Sequence, residues 1–113
     1  MNTKEKLEIS RLHAGFCKTI SDATRLSIIS EISVGELSVS DIAKKLGLNQ
    51  SNVSKHLALM REHGLVNTRR DGSTVYYILS DYRIYQAVKL LCEVQSDQLK
   101  KMHSLSSANG NNK

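Results

Sequence analysis

The sequence predicts a mainly α-helical fold with one small β-hairpin, in the order α-α-α-α-β-β-α. Apolar residues recur at helical spacing over most of the chain, and the period changes to two only within residues 65–79. Proline is absent, and four of the six glycines separate the predicted elements. The chain has 113 residues, of which 40% are hydrophobic, so it is long enough for one domain with a single modest core.

The first two predicted helices occupy the N-terminal third of the chain. Apolar residues at helical spacing predict the first helix over about Lys4 to Ile20. The second helix begins at Ser21 or Asp22, since a short polar side chain there can cap the helix. It ends near Gly35, because glycine readily adopts the left-handed conformation that closes many helices.

Two shorter helices follow, at about 38–46 and 50–63. The run from Ser38 to Asp41 resembles a capping box, with Asp in place of the usual Glu, and it begins a helix that ends at Gly47. The next helix carries its apolar residues on one face and ends at Gly64.

A hairpin and a last helix complete the predicted domain. Residues 65–70 and 74–79 alternate as strands do, and the Asp-Gly-Ser segment between them is typical of a tight hairpin turn. Helical spacing returns from Tyr82 to about His103. We therefore expect a domain over residues 1–103, followed by a disordered Ser/Asn-rich tail over residues 104–113.

The composition limits the class of function. The net charge is +5 and the pI about 9.4, which indicates a polyanionic partner without choosing between DNA, RNA and an anionic membrane. No apolar run approaches the ~20 residues that span a bilayer, and no secretory signal is evident, so we expect a cytoplasmic protein. No phosphate loop, HExxH motif or catalytic triad is recognisable, so we expect neither an enzyme nor a cofactor.

The helices at 38–46 and 50–63, joined by a turn that contains glycine, predict a helix-turn-helix. The second helix of such a motif enters the major groove of DNA, where its first residues contact base edges. Seven polar residues, none of them acidic, lie at the start of this helix and are the predicted DNA contacts: Asn49, Gln50, Ser51, Asn52, Ser54, Lys55 and His56. An ordinary solvated helix start is the alternative, but acidic residues are favoured there and none is present.

The hairpin supplies further candidate DNA contacts. Arg69, Arg70, Ser73 and Thr74 lie near its tip, where two arginines suit phosphate or minor-groove contact. Taken alone, these residues favour an ordinary charged hairpin. Beside a helix-turn-helix, they indicate a wing and therefore a winged helix-turn-helix fold.

Several segments resemble the ArsR/SmtB family, over about residues 12–82. They are Ser21–Leu26 (with Ala23 where the family usually has proline), Leu48–Leu57, Arg61–Val66 and Arg69–Tyr77. The resemblance implies a repressor that binds double-stranded operator DNA as a homodimer and leaves it when an inducer binds. It also implies a dimer interface formed largely by the first and last helices, and an inverted-repeat operator.

The resemblance further implies two metal sites, whose ligands this chain lacks. In the third helix, Ser38 and Ser40 stand where the family's thiolate site has cysteines, and hydroxyls are poor ligands for soft ions. The positions of the family's zinc site on the last helix hold Asp81, Arg83, Val94 and Asp97. We therefore expect no metal at either site.

Cys17 and Cys92 are the remaining candidates for sensing a signal. They lie on the two helices expected at the dimer interface, where a disulfide or polysulfide bridge would alter the dimer. His13 lies one helical turn before Cys17, where an imidazole can activate the thiol. The alternatives are that both cysteines are small buried hydrophobes, that His13 and both cysteines belong to a non-standard metal site, or that the domain is an interaction module without an inducer.

Overall fold

The computed structural model describes the backbone of residues 1–111 and the side chains of residues 1–105. Five helices and a three-stranded sheet make up the described part of the chain. The elements are α1 (Thr3–Ile20), α2 (Ala23–Ile32), β1 (Leu37–Ser38), α3 (Val39–Leu46), α4 (Gln50–Glu62), β2 (Val66–Asp71), β3 (Thr74–Leu79) and α5 (Arg83–Asn111). The predicted fold class is confirmed.

Side-chain caps begin each of the first four helices. In each case a side-chain oxygen accepts a hydrogen bond from a backbone N–H in the first turn, which has no partner within the helix. The capping residues are Asn2, Asp22, Ser38 and Asn49. The predicted caps Asp22 and Ser38 are therefore confirmed.

The turn between α3 and α4 depends on a glycine. Gly47 has a φ of 67°, in the left-handed region that residues with a Cβ seldom adopt. The N–H of Leu48 donates to the carbonyl oxygen of Ala43 over 2.9 Å and so closes the last turn of α3. This sharp stop sets the angle at which α4 leaves α3.

The sheet has the strand order β1-β3-β2, with both pairs antiparallel. Asp71 pairs with Thr74 across the turn, and Gly72 takes the positive φ of 61° that this tight connection requires. The third strand, β1, was not predicted. Its two residues, Leu37 and Ser38, pair with Tyr77 and Tyr76 of β3, and two residues are too short to show an alternating pattern.

The core lies between α2, α3, α4 and the hairpin, and α5 contributes one buried residue, Val88. Its members are mostly branched aliphatic side chains, as the shortage of aromatic residues predicted. They are Ile28, Ile29, Ile32, Ile42, Ala43, Val53, Leu57, Met60, Leu65, Val66, Leu79 and Val88.

Helices α1 and α5 extend away from this core. Exposed apolar side chains follow α1 at Leu7 and Leu12, and α5 at Leu91 and Val94. The radius of gyration is 18.1 Å, whereas a compact domain of this length would have about 13 Å. One chain therefore leaves apolar surface uncovered on its first and last helices.

Helix α5 continues to Asn111, past the predicted end at His103. A helix satisfies its own backbone hydrogen bonds, so it can continue through polar residues without tertiary contacts. The backbone of residues 104–111 is thus helical where a disordered tail was expected, and residues 112–113 lie outside the described part of the chain. None of the described helices is both long enough and apolar enough to span a membrane.

Candidate nucleic-acid interface

Helices α3 and α4 form the predicted helix-turn-helix. Val53, Leu57 and Met60 bury one face of α4 in the core. The opposite face, at the N-terminal half of the helix, is exposed and polar. Its exposed side chains are Gln50, Ser51, Asn52, Ser54 and Lys55. Five of the predicted DNA-contacting residues thus lie on the accessible surface of α4.

The first residues of α4 are held by local hydrogen bonds. The Oδ1 atom of Asn49 accepts from the backbone N–H of Asn52 at 2.7 Å, so this predicted DNA contact also caps the helix. Gln50 Nε2 lies 3.4 Å from the hydroxyl of Ser40 on α3. Helix α3 thereby restricts the rotamer of a side chain suited to bidentate pairing with adenine.

His56 is the predicted contact that the structure places differently. Its side chain is half-buried, and Nδ1 lies 3.2 Å from a guanidinium nitrogen of Arg25 on α2. Sequence reasoning gave Arg25 no role of its own because the two residues are 31 positions apart. The only available clue was that Arg25 belongs to the Ser21–Leu26 segment on which the family resemblance rests.

The hairpin of β2 and β3 carries Arg70 near the end of β2. Arg70 is exposed, as is Ser73 in the turn, and Thr74 is half-buried at the start of β3. These three residues form an accessible polar tip, as a wing requires.

Arg69, next to Arg70, has intramolecular partners instead. Its guanidinium forms a forked ion pair with Glu36, with contacts of 2.5–3.1 Å, and lies 4.8 Å from the centre of the Tyr76 ring. Hydrogen bonding from Arg69 lowers the pKa of the Glu36 carboxyl below its ordinary value. Successive residues of a strand point to opposite faces, so the two arginines have different surroundings. Sequence reasoning missed Glu36, which lies 33 residues from Arg69.

The three candidate sensing residues meet at one groove between α1 and α5. Cys17 and Cys92 are both exposed free thiols, and both line this apolar groove of about 350 Å³ together with His13. The Sγ atom of Cys17 lies 3.4 Å from Nε2 of His13. The alternative of two buried cysteines is therefore wrong for the single chain.

Other interactions occupy the positions where the family resemblance implied metal sites. The Ser38 hydroxyl caps α3, and that of Ser40 lies beside Gln50. The guanidinium of Arg83 donates hydrogen bonds to the carboxylate of Asp81 over 2.6–3.2 Å. These hydrogen bonds lower the pKa of the Asp81 carboxyl to about 2. Within the described residues, no three His, Cys, Asp or Glu side chains converge as metal ligands.

Comparison with known proteins agrees with this geometry. Residues 22–68 match the family model described as "Bacterial regulatory protein, arsR family". The chain is 37% identical over 91 residues to the transcriptional activator HlyU of Vibrio cholerae, covering 80% of this chain and 84% of HlyU. The chain belongs to the arsR family. It is also 37% identical over 89 residues to the arsenical resistance operon repressor of Escherichia coli K12, covering 78% of this chain and 76% of that repressor.

The fold of this ArsR-family chain also matches solved structures. One is the homodimeric winged helix-turn-helix DNA-binding domain of Mb0332 from Mycobacterium bovis, a possible ArsR-family transcriptional regulator. The TM-score is 0.77 at 26% identity, and the match covers 88% of this chain and 93% of that one. The predicted winged helix-turn-helix fold is therefore confirmed. Membership of a family of DNA-binding regulators also confirms the prediction that the chain is not an enzyme.

Proposed function

We propose that this ArsR-family chain is a homodimeric repressor that binds an inverted-repeat operator and is released when Cys17 and Cys92 are oxidised. The observation that carries the signal part of the proposal is the shared groove, which holds both thiols and His13. The polar, acid-free surface of α4 supports the DNA-binding part.

The DNA-binding surface has two parts in this proposal. The exposed start of α4 lies in the major groove, and the hairpin tip with Arg70 contacts phosphates or the neighbouring minor groove. A two-fold dimer presents two such surfaces. We therefore expect an operator with two half-sites related by symmetry, separated by one helical turn of DNA or a multiple of it.

Operator specificity is tested by selecting a preferred duplex from a random-sequence library with the reduced protein. Gln50→Ala should weaken binding to the selected duplex by about 1–3 kcal/mol, because each bidentate base contact contributes about that much discrimination. Its affinity for random DNA should change little. Gln86→Ala, an exposed glutamine on α5, is the matched control. If Gln50→Ala keeps the full preference for the selected duplex, this surface of α4 does not determine the sequence.

The proposed signal is a low-molecular-mass disulfide or a polysulfide. The Cys17 thiolate attacks one sulfur of the oxidant RSSR, and the first RS⁻ leaves. The Cys92 thiolate then attacks Cys17 Sγ, displaces the second RS⁻ and completes a protein disulfide. Two electrons pass from the protein thiols to RSSR, and the two thiol protons end on two RSH molecules. His13 is placed to take up the proton of Cys17.

The switch is tested by measuring affinity for the selected duplex before and after treatment with oxidised glutathione. Wild type should bind tightly when reduced and at least tenfold more weakly when oxidised, whereas Cys17→Ser and Cys92→Ser should stay bound. A non-reducing gel shows whether the oxidised band has the mass of one chain, as expected for two thiols of one groove. Equal binding in both states would exclude thiol switching.

A metal-responsive repressor is the second candidate for the signal, and the pair formed by His13 and Cys17 is the observation that favours it. A site of this kind would need a further ligand from the partner protomer. Zinc added to the reduced protein decides between the two, because a metal sensor would leave the duplex without any oxidant. A protein that ignores both treatments would be a winged-helix module without an inducer.

A further inference from the structure

Arg25 of α2 joins two other helices through one guanidinium. Its Nε donates to the carbonyl oxygen of Thr19 in the last turn of α1. Its Nη1 lies 3.2 Å from Nδ1 of His56 on α4. Arginine suits this position because its donors are fixed in a planar fork, whereas a lysine ammonium acts as a point charge. The side chain is half-buried, which restricts its other conformations.

The contact between Arg25 and His56 occupies one ring nitrogen of the imidazole. A guanidinium can only donate hydrogen bonds, so Nδ1 of His56 is the acceptor in this contact. His56 therefore cannot accept a hydrogen bond from a base at Nδ1 while Arg25 holds it. This contact makes His56 an anchor of α4 rather than a side chain free to turn toward DNA.

The contact with Thr19 completes the C-terminal cap of α1. Ser21 donates to the carbonyl oxygen of Cys17 through both its backbone N–H and its hydroxyl. The backbone N–H of Asp22 donates to the carbonyl oxygen of Ile20. Arg25 supplies the donor for Thr19. A cation at the end of a helix is also favoured by the helix dipole. Arg25 thus helps to cap the end of α1. The carbonyl oxygen to which it donates belongs to Thr19, two residues beyond Cys17.

This bridge supplements the packing of α4. Val53, Leu57 and Met60 fix the buried face of the helix, and Phe16 and Ile20 of α1 pack against the same core while only partly buried. Apolar packing is not directional, whereas the two contacts of Arg25 add a directional link between α4 and the end of α1.

We propose that Arg25 is a positioning residue for operator binding, which holds the recognition helix α4 through His56 and ties it to the end of α1. The proposal rests on the DNA-binding part of the proposed function. It gives a thiol change at Cys17 a direct route to α4, through the last turn of α1.

A double-mutant cycle tests the positioning role. Affinity for the selected duplex is measured under reducing conditions for wild type, Arg25→Lys, His56→Ala and the double variant. Each single substitution should weaken binding roughly fivefold to tenfold. The double variant should bind the duplex no more weakly than the weaker-binding of the two single variants, because both substitutions remove the same contact. If the two losses multiply, Arg25 does not act through His56 and the proposal is overturned.

Three further measurements separate positioning from a general loss of structure. His56→Asn offers a side-chain oxygen near the position of Nδ1, so it should recover most of the affinity that His56→Ala loses. Arg61→Lys, at an exposed arginine near the end of α4, should bind like wild type. The ratio of selected-duplex to random-DNA affinity should fall for Arg25→Lys. Failure of the Asn rescue, or an unchanged ratio, would overturn the proposal.

Oxidation of the same variants distinguishes this proposal from the proposed function. Treatment with oxidised glutathione should weaken wild-type binding, and the effect should be smaller for Arg25→Lys because the route to α4 is interrupted. If wild type itself ignores oxidation, the thiol signal is wrong while the double-mutant cycle still decides the role of Arg25. If reduced wild type prefers no duplex, the DNA-binding part of the proposed function is wrong. This outcome is seen in wild type itself, without reference to any variant.

Discussion

Two adjacent arginines show how neighbouring residues acquire different roles. Arg69 and Arg70 both lie on β2 and both are exposed, but Arg69 is engaged by Glu36 and Tyr76. A guanidinium that already forms an ion pair with a carboxylate must break that ion pair before it can neutralise a phosphate. We therefore assign phosphate contact to Arg70 and anchoring of the hairpin to Arg69.

This assignment predicts different salt dependences for the two alanine variants. Arg70→Ala should weaken binding to specific and random DNA alike, and the slope of log affinity against log salt should decrease by about one phosphate contact. Arg69→Ala should keep a slope close to that of wild type. The measurement is a titration of each variant with the same duplex at several salt concentrations. Equal slopes for wild type and Arg70→Ala would remove Arg70 from the interface.

At the scale of elements, the structure is determined by how each helix begins and ends. Helix α4, which carries most of the candidate interface, begins at Asn49 and takes its position from the turn at Gly47. Helix α5 begins beside Asp81, whose carboxylate accepts from both the backbone N–H and the guanidinium of Arg83. The interactions at both helix starts predict measurable effects on the stability of the fold.

Asn49→Ala should lower the free energy of unfolding by about 1 kcal/mol, the usual loss when an N-cap side chain is removed. Asn49→Ser should retain most of the stability, since a serine hydroxyl can also cap. Asn67→Ala, an exposed asparagine on β2, is the control for asparagine loss outside a cap. Urea unfolding followed by circular dichroism measures all three. A stability of Asn49→Ala equal to that of the control would mean that this cap contributes nothing.

The start of α5 should be sensitive to acid. The pKa of Asp81 is lowered to about 2, chiefly by hydrogen bonds from Arg83. Its ionised form therefore stabilises the fold above pH ~4, the ordinary range for Asp, and this contribution is lost as the pH falls toward 2. The melting temperatures of wild type and Asp81→Asn should differ at pH 6 and converge near pH 2. A difference that does not change with pH would contradict the ion pair.

The elements that the sequence predicts well are those whose evidence is local. Caps such as Asp22 and Ser38, the stop at Gly47 and the Asp-Gly hairpin turn depend on neighbouring residues only. Strand β1 and the contacts of Arg25 could not be predicted, because each depends on residues brought together by the fold. The ion pair of Arg69 could not be predicted for the same reason, since its partner Glu36 is distant in sequence.

At the scale of the whole molecule, a single chain leaves apolar surface uncovered. Helices α1 and α5 carry exposed leucines, and the chain is more extended than one compact domain. A second copy packed on these two helices would cover the apolar surface and place two α4 helices in a symmetric pair. The homodimeric state of the Mb0332 domain supports this arrangement.

Leu91→Glu should therefore disrupt the dimer and with it tight operator binding. Leu91 is 68% exposed in the single chain, so the substitution leaves the core of the protomer intact. Val34→Glu is the control, at a position that is 87% exposed and lies between α2 and β1. Light scattering after size-exclusion chromatography gives the mass of each variant. A dimeric Leu91→Glu protein would show that another surface forms the interface.

Strand β1 has a mechanical consequence for the DNA. By pairing with Tyr76 and Tyr77 of β3 just before α3 begins, it joins the middle of the hairpin to the start of the helix-turn-helix. In the proposed complex we therefore expect the two DNA-contacting parts to behave as one rigid body. Such a body requires a fixed phase between the base pairs under α4 and the phosphates under the hairpin tip. One extra base pair between them shifts the second contact by about 3.4 Å and rotates it by about 35° around the duplex. A half-site is therefore expected to tolerate many base changes beneath the hairpin but not a single insertion.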